Sequence, residues 1–342
     1  MGNAKQKTIC FAHFSQIIFP IIIKLMIDFL SSMLKIAKIP FTENEALAAK
    51  STFRVGGTAR LYITPQTEEQ LEAAISAACS AEIPFFLTGG ASNVVYPDGQ
   101  YQGAIISTQD VKEIYYEADE INPDGSVTVS CLCGVPMAAL VDFCTKKNLS
   151  GLEQFAGLPG TVGGAVYMNA RCFDRSISDL LSSTKHLEYQ DSKAKIIEKA
   201  FDASEWDYKK SPFQTDRDTN PRYIMQASFD LTPAGPDAHD RIAADCKKYI
   251  AERIDKGHFK YPSAGSVFKN NHSFGAPSGK LIDDCGLKGL SIGGAQIAPF
   301  HGNFIINKGN ATAADIRALV EAAQKAVKEK FGFTLEPEII FI

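Results

Sequence analysis

"QTEEQLEAAISAACSAEIPFFLTGGASN", residues 66–93, changes its hydrophobic period partway through. Leu71, Ala74, Ile75 and Ala78 recur at helical spacing. Thr67, with Gln70 three residues on, is a capping-box signature for the start of that helix. "PFFLTGG" then reads as a short buried strand running into a glycine-rich loop. Upstream, "TFRVGGTARLYITP" (52–65) reads as strand, tight Gly-Gly turn, strand, and downstream "GAIIST" (103–108) reads as another strand. Strand, helix and strand in this order predict a β-α-β unit and an α/β domain.

The pattern continues towards the C-terminus. "SVTVSCLCG" (126–134) alternates as a strand, and "VPMAALVDFCTKKNLSG" (135–151) follows as a helix. Strands are expected around 184–200 and 222–232, and "PDAHDRIAADCKKYIAERIDKG" (236–257) is expected as a helix. The last long helix should start at Thr312 and bury Ile316, Leu319, Val320, Ala323 and Val327, before "FTLEPEIIFI" (333–342) closes the chain as a strand.

The 342 residues carry a net charge of −4 and ordinary globular hydrophobicity, which argues against a nucleic-acid binder. Eight scattered cysteines without a CxxC pair, and six histidines without ligand spacing, fit reduced thiols in a cytoplasmic protein with no metal site. "FSQIIFPIIIKLMIDFLSSMLKIAKIP" (14–40) is apolar but interrupted by Pro20, Lys24 and Asp28, so no stable membrane insertion is expected. Residues 1–38 read as an N-terminal extension, with translation starting at Met26 or Met33 and the fold beginning near Ile39.

Three glycine-bearing stretches could bring backbone N–H groups close to a phosphate. They are "RVGG" (Arg54, Gly56, Gly57), "GGASN" (Gly89, Gly90, Ala91, Ser92, Asn93) and "GLPGTVGGAVYMN" (Gly157, Pro159, Gly160, Thr161, Gly163, Gly164, Ala165, Asn169). None is a GxGxxG dinucleotide fingerprint or a Walker loop, yet three in one α/β region point to a dinucleotide. "YPSAGSVFKNN" (261–271) presents Ser266 after a glycine, outside any GxSxG elbow, with Lys269 and Asn270 following. "DYKKSPFQ" (207–214) groups Tyr208, Lys209 and Ser211. Glu336 and Glu338 share one face by strand period, so alternation cannot choose between them.

Taken together, "STFRVGG", "GGASN", "GLPGTVGGAVYMNA", "YKKSPF", "PSAGSVFKN", "GKLIDDCGLKGLSIGGAQI", "HGNFIIN" and "LEPEI" resemble, in order, the UDP-N-acetylenolpyruvoylglucosamine reductase (MurB) family from about residue 40 to the end. The resemblance implies an α+β protein. A PCMH-type FAD-binding domain of two α/β subdomains would span 39–232, and an α+β substrate-binding domain 233–342, whose last strand returns to the active site. It implies FAD as cofactor, NADPH as co-substrate and UDP-N-acetylglucosamine-enolpyruvate as substrate, in peptidoglycan synthesis, with a monomer as the expected state. Ser266 would be the proton donor, Glu338 and Lys209 would act on the enolpyruvyl group, and Gly265 would keep the backbone slim beside the flavin. Tyr208, Lys269 and Asn270 would lie near substrate, and the glycine stretches near FAD. Lys209 stands where the family motif has arginine, keeping the charge but losing the planar fork. Ala91 replaces a glycine, which is harmless only at negative φ. The short segment from Asn270 to Lys280 resembles the compact branch of the family.

Overall fold

The computed structural model describes residues 22–215 and 221–342. Helix α1 covers residues 22–36. Strand β1 (Phe41–Ala46) runs antiparallel to β2 (Thr58–Ile63). Helix α2 (Glu68–Ser80) connects β2 to β3 (Phe85–Thr88); after the two-residue β4 (Val94–Val95), β5 (Gln100–Ser107) enters between β2 and β3, parallel to both. The first sheet therefore has the order β1-β2-β5-β3, with the predicted β-α-β unit inside it. Leu71, Ala74, Ile75 and Ala78 of α2 are all fully buried.

Next come β6 (Ile114–Ile121), β7 (Val127–Leu132), α3 (Met137–Lys146), β8 (Leu149–Ser150) and α4 (Val162–Tyr167). After the short pair β9 (Arg171–Cys172) and β10 (Arg175–Ser176), the chain forms β11 (Leu181–Gln190), β12 (Lys193–Ala200) and β13 (Arg222–Pro233). The second sheet is antiparallel, in the order β12-β11-β13-β7-β6, with β8 paired to β13. Helix α5 (His239–Asp255), β14 (Ser263–Ser266), α6 (Ser278–Asp284), β15 (Ser291–Ile292), β16 (Ala295–Ile297), β17 (Phe304–Asn307), α7 (Ala313–Phe331) and β18 (Ile340–Phe341) complete the chain. The third sheet, β14-β17-β16-β15, is antiparallel, and β18 pairs in parallel with β4.

Two main cores result. One joins α1, α2, α3, α4 and α5 to the first and second sheets; the other joins α6 and α7 to the third sheet.

The structure corrects several expectations. Residues 52–55 are not a strand. Phe53 and Val55 are buried in the C-terminal core, and the Asn307 amide donates to the carbonyls of Phe53 and Arg54, replacing a ladder. Packing begins before Ile39, because α1 buries Ile27, Leu30 and Leu34 in the first core. The part of the extension reading that concerns residues 1–21 lies outside the described residues. Helix α5 sends Ile242 and Cys246 into the first core, so the change of core falls after residue 255 rather than at 232. Half of the capping box forms: Thr67 Oγ1 accepts from the Gln70 N–H, while Gln70 Oε1 takes the N–H of Gln66. At Thr312 both arms form with Asp315.

Candidate active site

A cavity of about 1180 Å³ opens where the two cores meet. Ser266, Lys209 and Glu338 all line it, as do the loops at 89–93 and 159–161.

Ser266 ends β14, opposite Phe304 of β17, while Ser263 stands opposite Ile306. Between these pairs Ala264 and Gly265 oppose the single residue Ile305, a bulge that re-aims the side chain at the strand end. Gly265 sits in the bulge at φ +72°, and a side chain there would meet open space. Its left-handed backbone is one that favours glycine, and the space before it belongs to the cavity that it lines.

Glu338 belongs to no strand. Its N–H donates to the carbonyl of Val267 at 2.7 Å, one residue past Ser266, and its carbonyl accepts from Asn93 Nδ2 at 3.0 Å. The Asn93 carbonyl in turn accepts from the Ile340 N–H. This irregular path separates two glutamates that strand period puts on one face. Glu336 turns outward to pair with Lys269, its side chain 66 % exposed, whereas that of Glu338 is 11 % exposed and lines the cavity.

Lys209 Nζ donates to Glu338 Oε1 at 2.7 Å, and its own side chain is 13 % exposed. Lys209 is carried by a tight turn in which Asp207 and Lys210 bridge, and its φ is +57°. A non-glycine residue there costs ~1 kcal/mol or more. The surroundings hold the turn: Asn169 Nδ2 donates to the Asp207 carbonyl, Ser211 Oγ to that of Tyr167, and Gln214 Nε2 to those of Tyr167 and Lys209.

The two glycine loops press against each other. Ser92 Oγ donates to the Pro159 carbonyl. A Cβ on Gly89 would lie 2.1 Å from Thr161 Oγ1, and one on Gly90 would lie 2.9 Å from the Gly160 Cα. Gly163 packs as closely on Cys133, where a Cβ would come to 2.8 Å. Bare backbone is thus required for the loops to meet, leaving a slim polar wall beside the cavity. Ala91 has φ +45°, the unfavourable case for a non-glycine residue.

Not every expected residue reaches the cavity. Arg54, Gly89 to Asn93, Pro159, Gly160, Thr161, Gly163, Gly164 and Ala165 line it; Gly56, Gly57, Gly157, Asn169, Tyr208, Lys269 and Asn270 do not. Gly57 leaves room for the Asp98 carbonyl, Gly56 for Tyr96, and Gly157 for the methylenes of Arg253. Asn169 and Asn270 bond within the frame, the latter accepting from the Ser278 N–H. Tyr208 lies 6.3 Å from the His272 ring. Arg171, which the sequence offered as a helper for Lys209, lines the cavity, whereas sequence reasoning missed Arg222, Arg253, His258 and Lys260. Arg253 had a signal: it continues the apolar stripe of α5 through Ile242 and Cys246, a charge at a core position. His258 lies near Arg253, and burial with that positive neighbour pushes its pKa down to about 4.

A cavity of this size, with a glycine-lined wall and an excess of cations, fits a dinucleotide plus a second ligand. Residues 59–197 match a family described as "FAD binding domain", and residues 257–342 match "UDP-N-acetylenolpyruvoylglucosamine reductase, C-terminal domain". The chain is 45 % identical over 296 residues to the UDP-N-acetylenolpyruvoylglucosamine reductase of Treponema denticola, covering 85 % of this chain and 90 % of the relative. Identity to the same-named protein of Treponema pallidum is 41 % over 332 residues, covering 87 % of this chain and 92 % of the relative. The crystal structure of that reductase from Thermus caldophilus superposes with a TM-score of 0.65 at 28 % identity, covering 89 % of this chain and 98 % of that one.

Proposed function

The chain belongs to the UDP-N-acetylenolpyruvoylglucosamine reductase family, and from that premise we propose that it reduces the enolpyruvyl ether of UDP-N-acetylglucosamine-enolpyruvate to UDP-N-acetylmuramate, with NADPH as electron donor. The observation that carries the reading is the convergence of Ser266, Lys209 and Glu338 on one cavity beside the glycine loops. The residues present fit FAD: the abutting loops leave a slim polar wall, and the surrounding cations suit an anionic cofactor. When bound, FAD supplies the two-electron chemistry, accepting hydride from NADPH and passing it to the β-carbon of the enolpyruvyl group.

The protein's part is electrostatic and protonic. Negative charge gathers on the α-carbon and its carboxylate as hydride arrives. A fixed cation aimed at that charge lowers the barrier, because it needs no reorganisation at the moment of reaction. Lys209 is that cation, and the Glu338 carboxylate at 2.7 Å holds its ammonium in place. Ser266 gives its hydroxyl proton to the α-carbon, so that one hydride and one proton saturate the double bond. A serine hydroxyl is a weak acid, and its placement at a bulge, on the cavity that this ion pair also lines, supplies the positioning such a donor needs. No helix among the described residues is long and apolar enough to cross a membrane.

The visible spectrum of the purified protein, recorded without air, tests the reading. The flavin band should bleach with NADPH and return when the enolpyruvyl UDP-sugar is added. A band that bleaches but does not return would assign a different acceptor. An inactive wild type that gains turnover as Lys209→Arg would identify a nucleotide-sugar binder that has lost catalysis.

A further inference from the structure

Taking the class of ligand from the proposed function and the location from geometry, we propose that Arg253 binds a nucleotide diphosphate in the large cavity. Arg253 stands in the last turn of α5, and only 7 % of its surface is exposed. Its Nε donates to the Ala156 carbonyl at 3.0 Å, and its guanidinium lies 5.6 Å from the Phe173 ring centre. Its guanidinium also meets the buried Cys172 thiol, and no carboxylate forms an ion pair with it among the described residues.

This isolation sets it apart. Lys209 has Glu338, Lys50 has Glu45, and Arg222 has Glu188. Arg253 is buried more deeply than any of them and has no carboxylate. Burying a charge without a counter-charge is strongly unfavourable, so a fold that keeps one there is complete only with an anion. Arg253 lines the cavity, and among the described residues the sole carboxylate in that lining, Glu338, is already engaged with Lys209. Arg54, Arg171 and Lys260 line the same space, also without an ion pair among the described residues. A chain of net charge −4 thus surrounds one cavity with positive charge. A guanidinium fork matches two phosphate oxygens at once, which an ammonium cannot do. FAD and the UDP-sugar both carry a diphosphate, and the experiment separates them.

The holoenzyme and its Arg253→Met and Arg253→Lys variants would be titrated with inorganic pyrophosphate and with UDP by calorimetry. Flavin occupancy on dilution and the thermal midpoint would be followed in parallel. Arg253→Met should lose at least ~30-fold in one affinity, as expected when one side of a buried charged contact is removed. Where flavin is retained, its midpoint without added ligand should not fall, because a lone buried charge has gone. Loss of UDP and pyrophosphate affinity with flavin retained assigns the substrate diphosphate; loss of flavin with UDP affinity retained assigns the cofactor diphosphate. Affinities all within about threefold of wild type, ~0.7 kcal/mol at most, would make Arg253 a prop for the Ala156 carbonyl and overturn the proposal. If Arg253→Met does not fold, Arg253→Lys decides: weaker pyrophosphate or flavin binding at an unchanged midpoint supports the assignment, and unchanged binding overturns it. A wild type that neither holds flavin nor reduces the sugar would sink the functional reading, while the pyrophosphate comparison would still decide Arg253.

Discussion

Replacing Glu338 by glutamine would orphan the ammonium of Lys209, and the consequence depends on how dry the pair is. The two side chains are 13 % and 11 % exposed and meet at 2.7 Å, near the buried limit. Removing one partner of a buried pair costs about 3–5 kcal/mol, against about 0–1 kcal/mol for an exposed pair. Glutamine keeps an acceptor oxygen for Lys209, so Glu338→Gln should cost less, about 2–3 kcal/mol. Lys209→Met leaves a bare carboxylate and should cost about 3–4 kcal/mol. The double variant buries no charge, so its cost should fall short of the sum by at least ~2 kcal/mol. Urea unfolding followed by Trp206 fluorescence measures the three costs, with release of flavin as a second probe. In single-turnover experiments, reoxidation of reduced flavin by the sugar should slow about 100- to 1000-fold in each single variant. The double variant should be little slower than the worse single, because the two residues act as a unit. Stability costs that add to within ~0.5 kcal/mol would refute the argument. They would show that water screens the pair and that Glu338 does not hold Lys209.

Ser266→Ala should leave flavin reduction by NADPH intact and abolish reduction of the sugar; loss of both half-reactions in stopped-flow absorbance would give Ser266 a structural role. Ala91→Gly should stabilise the protein slightly, by up to ~1 kcal/mol, as relief of strain at φ +45° outweighs the added freedom of the unfolded chain, and a thermal melt reads the sign. A chain starting at Met26 keeps Ile27, Leu30 and Leu34 and should melt like the full chain. One starting at Met33 loses two of those three and about 3–6 kcal/mol, at about 1.5–3 kcal/mol per buried side chain. His258, with a folded pKa of about 4 against an ordinary value of 6.5, is held neutral by the fold. The unfolded chain therefore binds a proton first on acidification, and stability should fall as pH drops from about 6.5 to about 4 and be flat above it. The shift sets a ceiling near 3 kcal/mol, and solvent screening of a half-buried ring reduces this to about 1–2 kcal/mol; urea midpoints that do not change on His258→Gln across that window would count against it.

Legibility in the sequence followed the regularity of the backbone. The β-α-β unit and α7 were readable because each helix presents one apolar face at one period, opened by a side-chain cap at Thr67 or Thr312. Helix α1 was not, because its apolar residues lie on two faces. Ile27, Leu30 and Leu34 are buried, while Ile22, Leu25, Phe29 and Ile36 are exposed on another side. Superposed, the two stripes read as one long apolar run and hid the helix boundary. Phe53 and Val55 alternate as a strand would, yet they serve the second core, a choice made by tertiary packing and by Asn307.

The candidate site shows the same division more sharply. Its glycines were legible as loops, since close approach of bare backbone is written in composition. The acids and bases were legible only through the family resemblance, since each is aimed by an irregular contact that no period encodes: Ser266 by a bulge, Lys209 by a left-handed turn, Glu338 by bonds to Val267 and Asn93. Asn93 spans both kinds. The "GGASN" loop presented it as a cofactor contact, and it lines the cavity, but its amide is committed to the Glu338 carbonyl. A residue read as part of the cofactor wall therefore also fixes the carboxylate that holds Lys209. The glycine loop and the C-terminal segment form one mechanical unit, although 245 residues of sequence separate Asn93 from Glu338.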